Sequence, residues 1–367
     1  MKLNGSDIIA EVLIEQGVDT IFGYPGGAVL NIYDALYKYR DKIHHILTAH
    51  EQGASHAADG YARATGKTGV VIATSGPGAT NLVTGIATAY MDSIPMVAIT
   101  GNVGTSYIGK DAFQEVYITG ITMPITKHNF FVSDIKELAP TLREAFKIAN
   151  SGRKGPVLVD IPKDVTAAIT EYEKAAPEVI IDNTVINEDE VKKAAALINK
   201  AKRPVIEIGG GVVSSEASDL VRMLVNKTGA PCCHTLMAAG VLGYSERLNY
   251  GLVGMHGSFV TNKAIDEADV LVAIGTRFSD RVALNTNRFA HKAKVIQIDI
   301  DLSEIDKNVK VDHALVGDVK TIVMDLLHYV KQSDRTDWLK TLDEYKKSDY
   351  HPVDSDKYIT PHQLIKD

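Results

Sequence analysis

Along residues 1–170 the apolar positions follow two periods in turn. Asp7–Gln16 and Val29–Tyr39 repeat them every three or four residues, which predicts amphipathic helices. Thr20–Gly23, Ile43–Thr48, Thr68–Thr74 and Pro156–Ile161 are instead short apolar runs of the buried-strand kind. Strand and helix in alternation predict a parallel sheet covered on both faces. Ser6 or Asp7 is placed to cap the first helix. Residues 171–187 are polar, contain Pro177 and lose the periodicity, and they read as a linker. A second alternating stretch follows: helix Glu188–Lys200, strand Pro204–Ile208, the turn Gly209-Gly210-Gly211, strands Val270–Ile274 and Lys294–Ile300, and helix Val319–Val330. The predicted organisation is α/β, with two doubly wound parallel-sheet domains at 1–170 and 188–345. Asp334–Asp356 is charged and reads as connecting chain. Thr360 before Pro361 opens another helix, so 346–367 is a connector and the start of a further element.

With 367 residues, 45% hydrophobic and 23% charged, the chain can bury two cores, which excludes disordered and collagen-like classes. The net charge of −7 predicts no nucleic-acid partner, and a small anionic substrate would need local cations. Cys232 and Cys233 are adjacent, a spacing unsuited to a structural disulfide or a zinc knuckle, and fit a reducing, cytoplasmic setting. The amino terminus lacks the apolar core of a signal peptide, and no run reaches membrane-spanning length. His50, His56, His128, His234 and His256 show no metal-ligand spacing, so no metal site is assigned to these residues.

Two corners carry the candidate chemistry. Glu51 follows the strand Ile43–Thr48. The strand Thr68–Thr74 ends in Ser75-Gly-Pro-Gly-Ala-Thr-Asn81 before a helix over Asn81–Ala87. Ligands of open α/β sheets bind at the carboxyl ends of strands, where glycines admit a flat ring or a phosphate to the backbone. A carboxylate against a buried ring nitrogen can hold a proton there and shift the tautomer of the ring. Read alone, Glu51 would be an acid at the start of the helix Gln52–Arg63, and the glycine clusters would be tight turns.

Phe22-Gly-Tyr-Pro-Gly-Gly-Ala28, His50–Ala54, Thr74–Asn81, Lys110–Glu115, Thr126–His128, Val159–Asp164, Gly209–Gly211, Gly254–Gly257 and Gly275–Val282 together resemble the catalytic large subunit of the acetohydroxyacid (acetolactate) synthases, thiamine-diphosphate enzymes. The resemblance spans essentially the whole chain. It implies a thiamine-pyrimidine-binding domain followed by a Rossmann-like central FAD domain. Glu51 would then bond the thiamine pyrimidine. Pro77, Gly78 and Asn81 would pack against that ring, while Tyr24, Pro25, Gly26, Gly27 and Ala28 would face the thiazolium and substrate. Gly27 and Gln114 are implied in catalysis beside Glu51. Phe113, Lys127 and Lys163 would line the substrate channel with Ala28. Arg153, Gly209, Gly210, Gly211, Thr235, Leu236, Met237, Met255, His256, Gly275, Arg277, Asp280, Arg281, Asp299 and Asp318 would hold FAD.

The chain departs from the family pattern at Lys110, at Gly104-Thr105-Ser106 and at Ser279. It also has no Gly-Asp-Gly; the nearest stretch, Val316-Gly317-Asp318-Val319, lacks the second glycine. The resemblance therefore implies that the third domain, which holds Mg2+ and the diphosphate, is absent, and that the chain is a fragment inactive alone. It further implies a homodimer or tetramer with a shared active site, a small regulatory subunit, and pyruvate and 2-ketobutyrate as substrates. A flavin-dependent pyruvate oxidase is the alternative enzyme, with glyoxylate carboligase less favoured because it replaces the glutamate. A noncatalytic dimerisation or flavin-binding module is the alternative of another class.

Overall fold

The computed structural model describes residues 1–182, 184–349 and 353–366. Asn183 of the expected linker, and residues 350–352 and Asp367 of the expected connector, lie outside them. The chain divides into Met1–Ile181 and Asp182–Asp367.

In the first unit, the continuous apolar runs Gly69–Ala73, Met96–Asn102 and Pro156–Pro162 become strands buried on both faces. The strands are β1 (Lys2–Asn4), β2 (Thr20–Gly23), β3 (His44–Leu47), β4 (Gly69–Ala73), β5 (Met96–Asn102), β6 (His128–Phe131), β7 (Pro156–Pro162) and β8 (Ile169–Glu171). The helices are α1 (Gly5–Glu15), α2 (Leu30–Lys38), α3 (Glu51–Thr65), α4 (Pro77–Thr80), α5 (Val83–Asp92), α6 (Ile118–Thr122), α7 (Ile135–Asn150) and α8 (Lys163–Ala167). Six strands form a parallel sheet in the order β3-β2-β4-β5-β7-β6, and β1 pairs with β8 antiparallel. Val70, Ile72, Val97 and Val159 pack with Ile8, Leu13, Ile32 and Leu142 on one face; Val71, Ala98 and Leu158 pack with Ala54, Ala58 and Ile86 on the other. Asn4, rather than Ser6 or Asp7, caps α1, its side chain accepting from the Asp7 amide. The start of the expected linker is part of this unit. Tyr172 is buried and its hydroxyl donates to Glu15, which also accepts from Arg143 and from the Ala175 amide.

The second unit contains α9 (Glu188–Lys200), β9 (Pro204–Ile208), α10 (Gly210–Ser214), α11 (Ser218–Thr228), β10 (Cys232–His234), β11 (Asn249–Leu252), α12 (Phe259–Glu267), β12 (Val270–Ile274), β13 (Lys294–Asp299), β14 (His313–Val316), α13 (Val319–Tyr329), α14 (Thr336–Lys346) and α15 (Pro361–Lys366). Its six strands are parallel in the order β11-β10-β9-β12-β13-β14. The reading of 334–356 as connecting chain is corrected: α14 lies inside it, with Trp338, Leu339 and Leu342 buried. Their stripe at helical spacing is masked by the charged residues that fill the exposed face.

Each six-stranded sheet has a point at which the strand order turns back across its first strand. The chain runs outward through β2 and β3 and resumes at β4 on the other side of β2; likewise β9, β10 and β11 run one way and β12 lies across β9. At such a switch point the two connecting loops diverge and leave a crevice at the carboxyl ends of the strands.

Candidate active site

The β2/β4 switch point collects the residues after β2 and after β4, and Glu51 joins them as the first residue of α3. His50 caps that helix, its Nδ1 accepting from the Gln52 amide at 3.1 Å, which leaves the Glu51 carboxylate free to turn inward. Glu51 is only 9% exposed. Its Oε2 accepts from Asn81 Nδ2 at 2.9 Å. Its Oε1 faces Gly78, where an added Cβ would stand 3.2 Å from that oxygen and 2.7 Å from Thr74 Cγ2. A Cβ on Gly26 would come within 2.5 Å of the Thr74 side chain from the other side, and Thr74 Oγ1 accepts from the Ala28 amide at 3.2 Å. Gly26 and Gly78 thus thin the walls of the crevice beside the carboxylate. Around Gly27 the space is open, with nothing within 4 Å of an added Cβ.

Gln114 reaches this region through its backbone. A Cβ on Gly76, itself at φ +59°, would meet the Gln114 carbonyl oxygen at 2.7 Å. Gln114 also takes a left-handed conformation at φ +59°. The loop that carries it is closed by Glu115, whose carboxylate accepts from the Gly109 and Ala112 amides, and the Gly109 bond foremost lowers its pKa. Tyr24 and Pro25 are exposed, as are Phe113 and Lys163.

Lys127, an expected channel residue, is half-buried. Its Nζ donates to the carbonyls of Ile148 and, at 2.6 Å, Ser151, at the carboxyl end of α7, and burial lowers its pKa to about 8.

Two features of the first unit were not singled out from sequence. Tyr33 on α2 has a buried hydroxyl without a partner, stacks edge-on against His45 with 5.0 Å between centroids, and has its pKa raised by burial and then by the charge of Glu51. Asp160, at the carboxyl end of the sheet, accepts from Thr100 Oγ1 at 2.7 Å and Asn102 Nδ2 at 2.6 Å; burial pushes its pKa up to about 6. That network braces β5 where Gly101 backs onto Ala28 and Val29. Nothing in the apolar spacing marks Tyr33 out, but an acid inside the run Pro156–Ile161 was a visible signal.

At the β9/β12 switch point, Gly209, Gly211 and Gly275 bring two backbones together. Added Cβ atoms on Gly209 and Gly211 would lie 2.3 Å from the Gly275 oxygen and 2.6 Å from its Cα, and the Gly211 amide donates to the Gly275 carbonyl at 3.0 Å. Gly275 is at φ +59°. Gly210 faces Met237, and the Thr235 amide donates to the Ile208 carbonyl. Leu236, Met255, His256, Asp280 and Arg281 are exposed around this corner, and Arg277 is half-buried. Met255 and Arg281 are tied by the Met255 amide donating to the Arg281 carbonyl at 2.8 Å. Asp299 closes β13 and accepts from the Asp301 amide.

Asp318 is the N-cap of α13, accepting from the Lys320 and Thr321 amides and from Ser215 Oγ, so its carboxylate is committed to that corner. Arg153 belongs to the first unit, where its Nε donates to Ser93 Oγ at 2.8 Å. The glycine corner suits a nucleotide's close approach to backbone, and the exposed Arg281 beside it pairs with Asp280 at 3.9 Å and donates to Met255 Sδ at 3.5 Å.

Among the described residues no group of three or more His, Cys, Asp or Glu side chains is arranged to hold a metal ion, and no helix is long and apolar enough to cross a membrane.

Comparison with known proteins agrees with this layout. The N-terminal TPP binding domain of thiamine pyrophosphate enzymes matches residues 3–121, and the central domain of thiamine pyrophosphate enzymes matches residues 191–326. A probable acetolactate synthase large subunit from Methanocaldococcus jannaschii is 48% identical over the whole chain, which covers 63% of that relative. An acetolactate synthase from Mycobacterium leprae is 48% identical, with 60% of its length covered. An acetolactate synthase large subunit from Buchnera aphidicola is 44% identical over 94% of the chain, with 62% of its length covered. The chain thus spans about three-fifths of the length of these relatives.

Proposed function

Because the chain belongs to the thiamine pyrophosphate enzyme family, we propose that it forms the cofactor-pyrimidine and central domains of an acetolactate synthase, joining pyruvate to a second 2-ketoacid, pyruvate or 2-ketobutyrate, with loss of carbon dioxide. The observation that carries this reading is the buried Glu51, held by Asn81 at 2.9 Å with its other oxygen facing the gap at Gly78. The crevice fits a flat heteroaromatic ring, since its glycines stand where side chains would close it. When bound, thiamine diphosphate supplies the electron sink for decarboxylating a 2-ketoacid. Glu51 holds a proton at a ring nitrogen of the cofactor, and Asn81 keeps the carboxylate in place. Gly27 leaves space for the substrate. Gln114 orients its carbonyl, and the exposed ammonium of Lys163 neutralises its carboxylate.

The glycine corner of the second unit is the proposed FAD cradle, with the flavin structural because the overall reaction has no net redox change. Mg2+ and the diphosphate take their ligands from outside the residues described. A homodimer with shared active sites, a small regulatory subunit and a cytoplasmic location complete the proposal. The test is the product formed from pyruvate by the full-length protein with thiamine diphosphate, Mg2+ and FAD. Acetolactate without matching oxygen uptake is expected, reduced about 100-fold or more in Glu51→Gln. Oxygen uptake in proportion to pyruvate consumed would instead identify an oxidase.

A further inference from the structure

The second sheet carries a polar pair that the proposed chemistry leaves unused. Glu207 on β9 and Gln297 on β13 are fully buried, and each is in register with Ala273 on the strand between them. The two side chains therefore stand on one face of the sheet, two strand spacings or about 9.5 Å apart, with only a methyl group intervening. Both meet Thr276. Its hydroxyl donates to Glu207 Oε1 at 2.9 Å, and its carbonyl accepts from Gln297 Nε2 at 3.2 Å. One oxygen on each side chain remains, Glu207 Oε2 and Gln297 Oε1, buried and without a partner.

Two bare acceptors in apolar surroundings are costly, and an ionised carboxylate there is more costly still. A single proton answers both, because a carboxylic acid donates where a carboxylate cannot. We propose that Glu207 is carried as the neutral acid, its Oε2 hydroxyl donating to Gln297 Oε1, so that Glu207, Thr276 and Gln297 close into one clasp that positions the loop Gly275–Arg281.

The surroundings agree. On the other side Glu207 is in register with Cys233 of β10, whose thiol burial raises well above its ordinary pKa, as burial does for the neighbouring Cys232, so both thiols stand uncharged on that side. Burial pushes Glu207 itself up to about 7, against a smaller lowering by the Thr276 hydroxyl. The loop needs holding. Gly275 at φ +59° and the wholly buried Phe278 at φ +50° flank Thr276 in left-handed conformations, the second unusual for an aromatic residue. Glu207 is thus a positioning residue, and its bearing on flavin rests on the reading of this loop as the FAD cradle.

The test is thermal unfolding of the full chain without cofactor between about pH 5 and 9, with the infrared carbonyl band of a protonated carboxyl as a second readout. The folded pKa lies above the ordinary value of 4.5, so the clasp's contribution is complete below about 4.5 and is lost as pH rises through about 7. Wild type should show the band at pH 6 and a Tm that falls across neutrality. In an Asp160→Asn background, which removes the other buried acid, Glu207→Gln, whose amide reproduces the donor and the acceptor, should lose the band, keep the Tm at pH 6 and flatten the fall. Glu207→Leu should lower Tm by about 4–10 °C. An Asp160→Asn protein without the band, or a Glu207→Gln as unstable as Glu207→Leu, would show the group ionised and overturn the clasp. In the full-length protein, flavin release should accelerate above neutral pH in wild type but not in Glu207→Gln. A wild type that holds no flavin at any pH would remove the cradle reading alone, with band and Tm still deciding the clasp.

Discussion

The two oxygens of Glu51 have separate duties. Oε2 is fixed by Asn81 and Oε1 is left to the crevice. Removing the fixed side should therefore loosen the carboxylate without deleting it. A hydrogen bond to a charged group contributes about 1.5–3 kcal/mol, so Asn81→Ala in the full-length protein should raise the half-saturating thiamine diphosphate concentration by about 10- to 100-fold; an unchanged titration would show that Asn81 does not hold Glu51. Asp160 invites a test of another kind. Its pKa is pushed from 3.8 to about 6 by burial, so the folded state favours the protonated acid: stability is greatest below about 3.8 and falls as pH rises through about 6. The loss amounts to about 2–3 kcal/mol. Urea midpoints across that window should fall less in Asp160→Asn than in wild type; equal falls in the two would argue against the burial effect. Glu51 was legible in the sequence because it follows a strand and faces a glycine corner. Asp160 stood in an equally visible run, but that run drew attention to Lys163, and only the register with Thr100 reveals the acid's partners.

At the scale of elements, Lys127 and Lys163 separate two roles that sequence alone left alike. Lys127 ends α7 by supplying donors to carbonyls that the helix cannot satisfy itself. Lys127→Met should cost about 1–3 kcal/mol, seen as a lower urea midpoint, with KM for pyruvate little changed. Lys163→Met, at an exposed helix start, should do the reverse, raising KM while stability stays within about 0.5 kcal/mol. If Lys127→Met raises KM at full stability, the residue acts in the channel. Seven strands, β2, β3, β4, β7, β9, β12 and β13, were read from the sequence, and all of these but β3 are largely buried runs of apolar residues. The short β10 was not read, since three residues beginning with two cysteines carry no period. Nor was α14, where Trp338, Leu339 and Leu342 form a narrow stripe among charges.

For the whole molecule, the four core clusters matter most. The clusters of the first unit draw only on residues up to Tyr172, and those of the second only on residues from Val191 onward. Separate cores are the condition under which a chain ceases to unfold in one step. The sequence supplies a reporter, since its single tryptophan, Trp338, is buried in the second unit with Nε1 donating to the Pro204 carbonyl at the start of β9. Tryptophan fluorescence should follow that unit alone, whereas far-ultraviolet circular dichroism follows both. In urea the two signals should give transitions that do not coincide. Leu142→Ala, which opens a cavity in the first unit's core, should cost about 2–5 kcal/mol there. It should move the dichroism curve to lower urea and leave the fluorescence midpoint in place. Ala264→Gly would give no such contrast, because it perturbs the tryptophan's own cluster. Should Leu142→Ala shift both signals together, the two cores unfold as one cooperative system, and the pH dependence argued for Asp160 would then appear in the fluorescence of Trp338 as well.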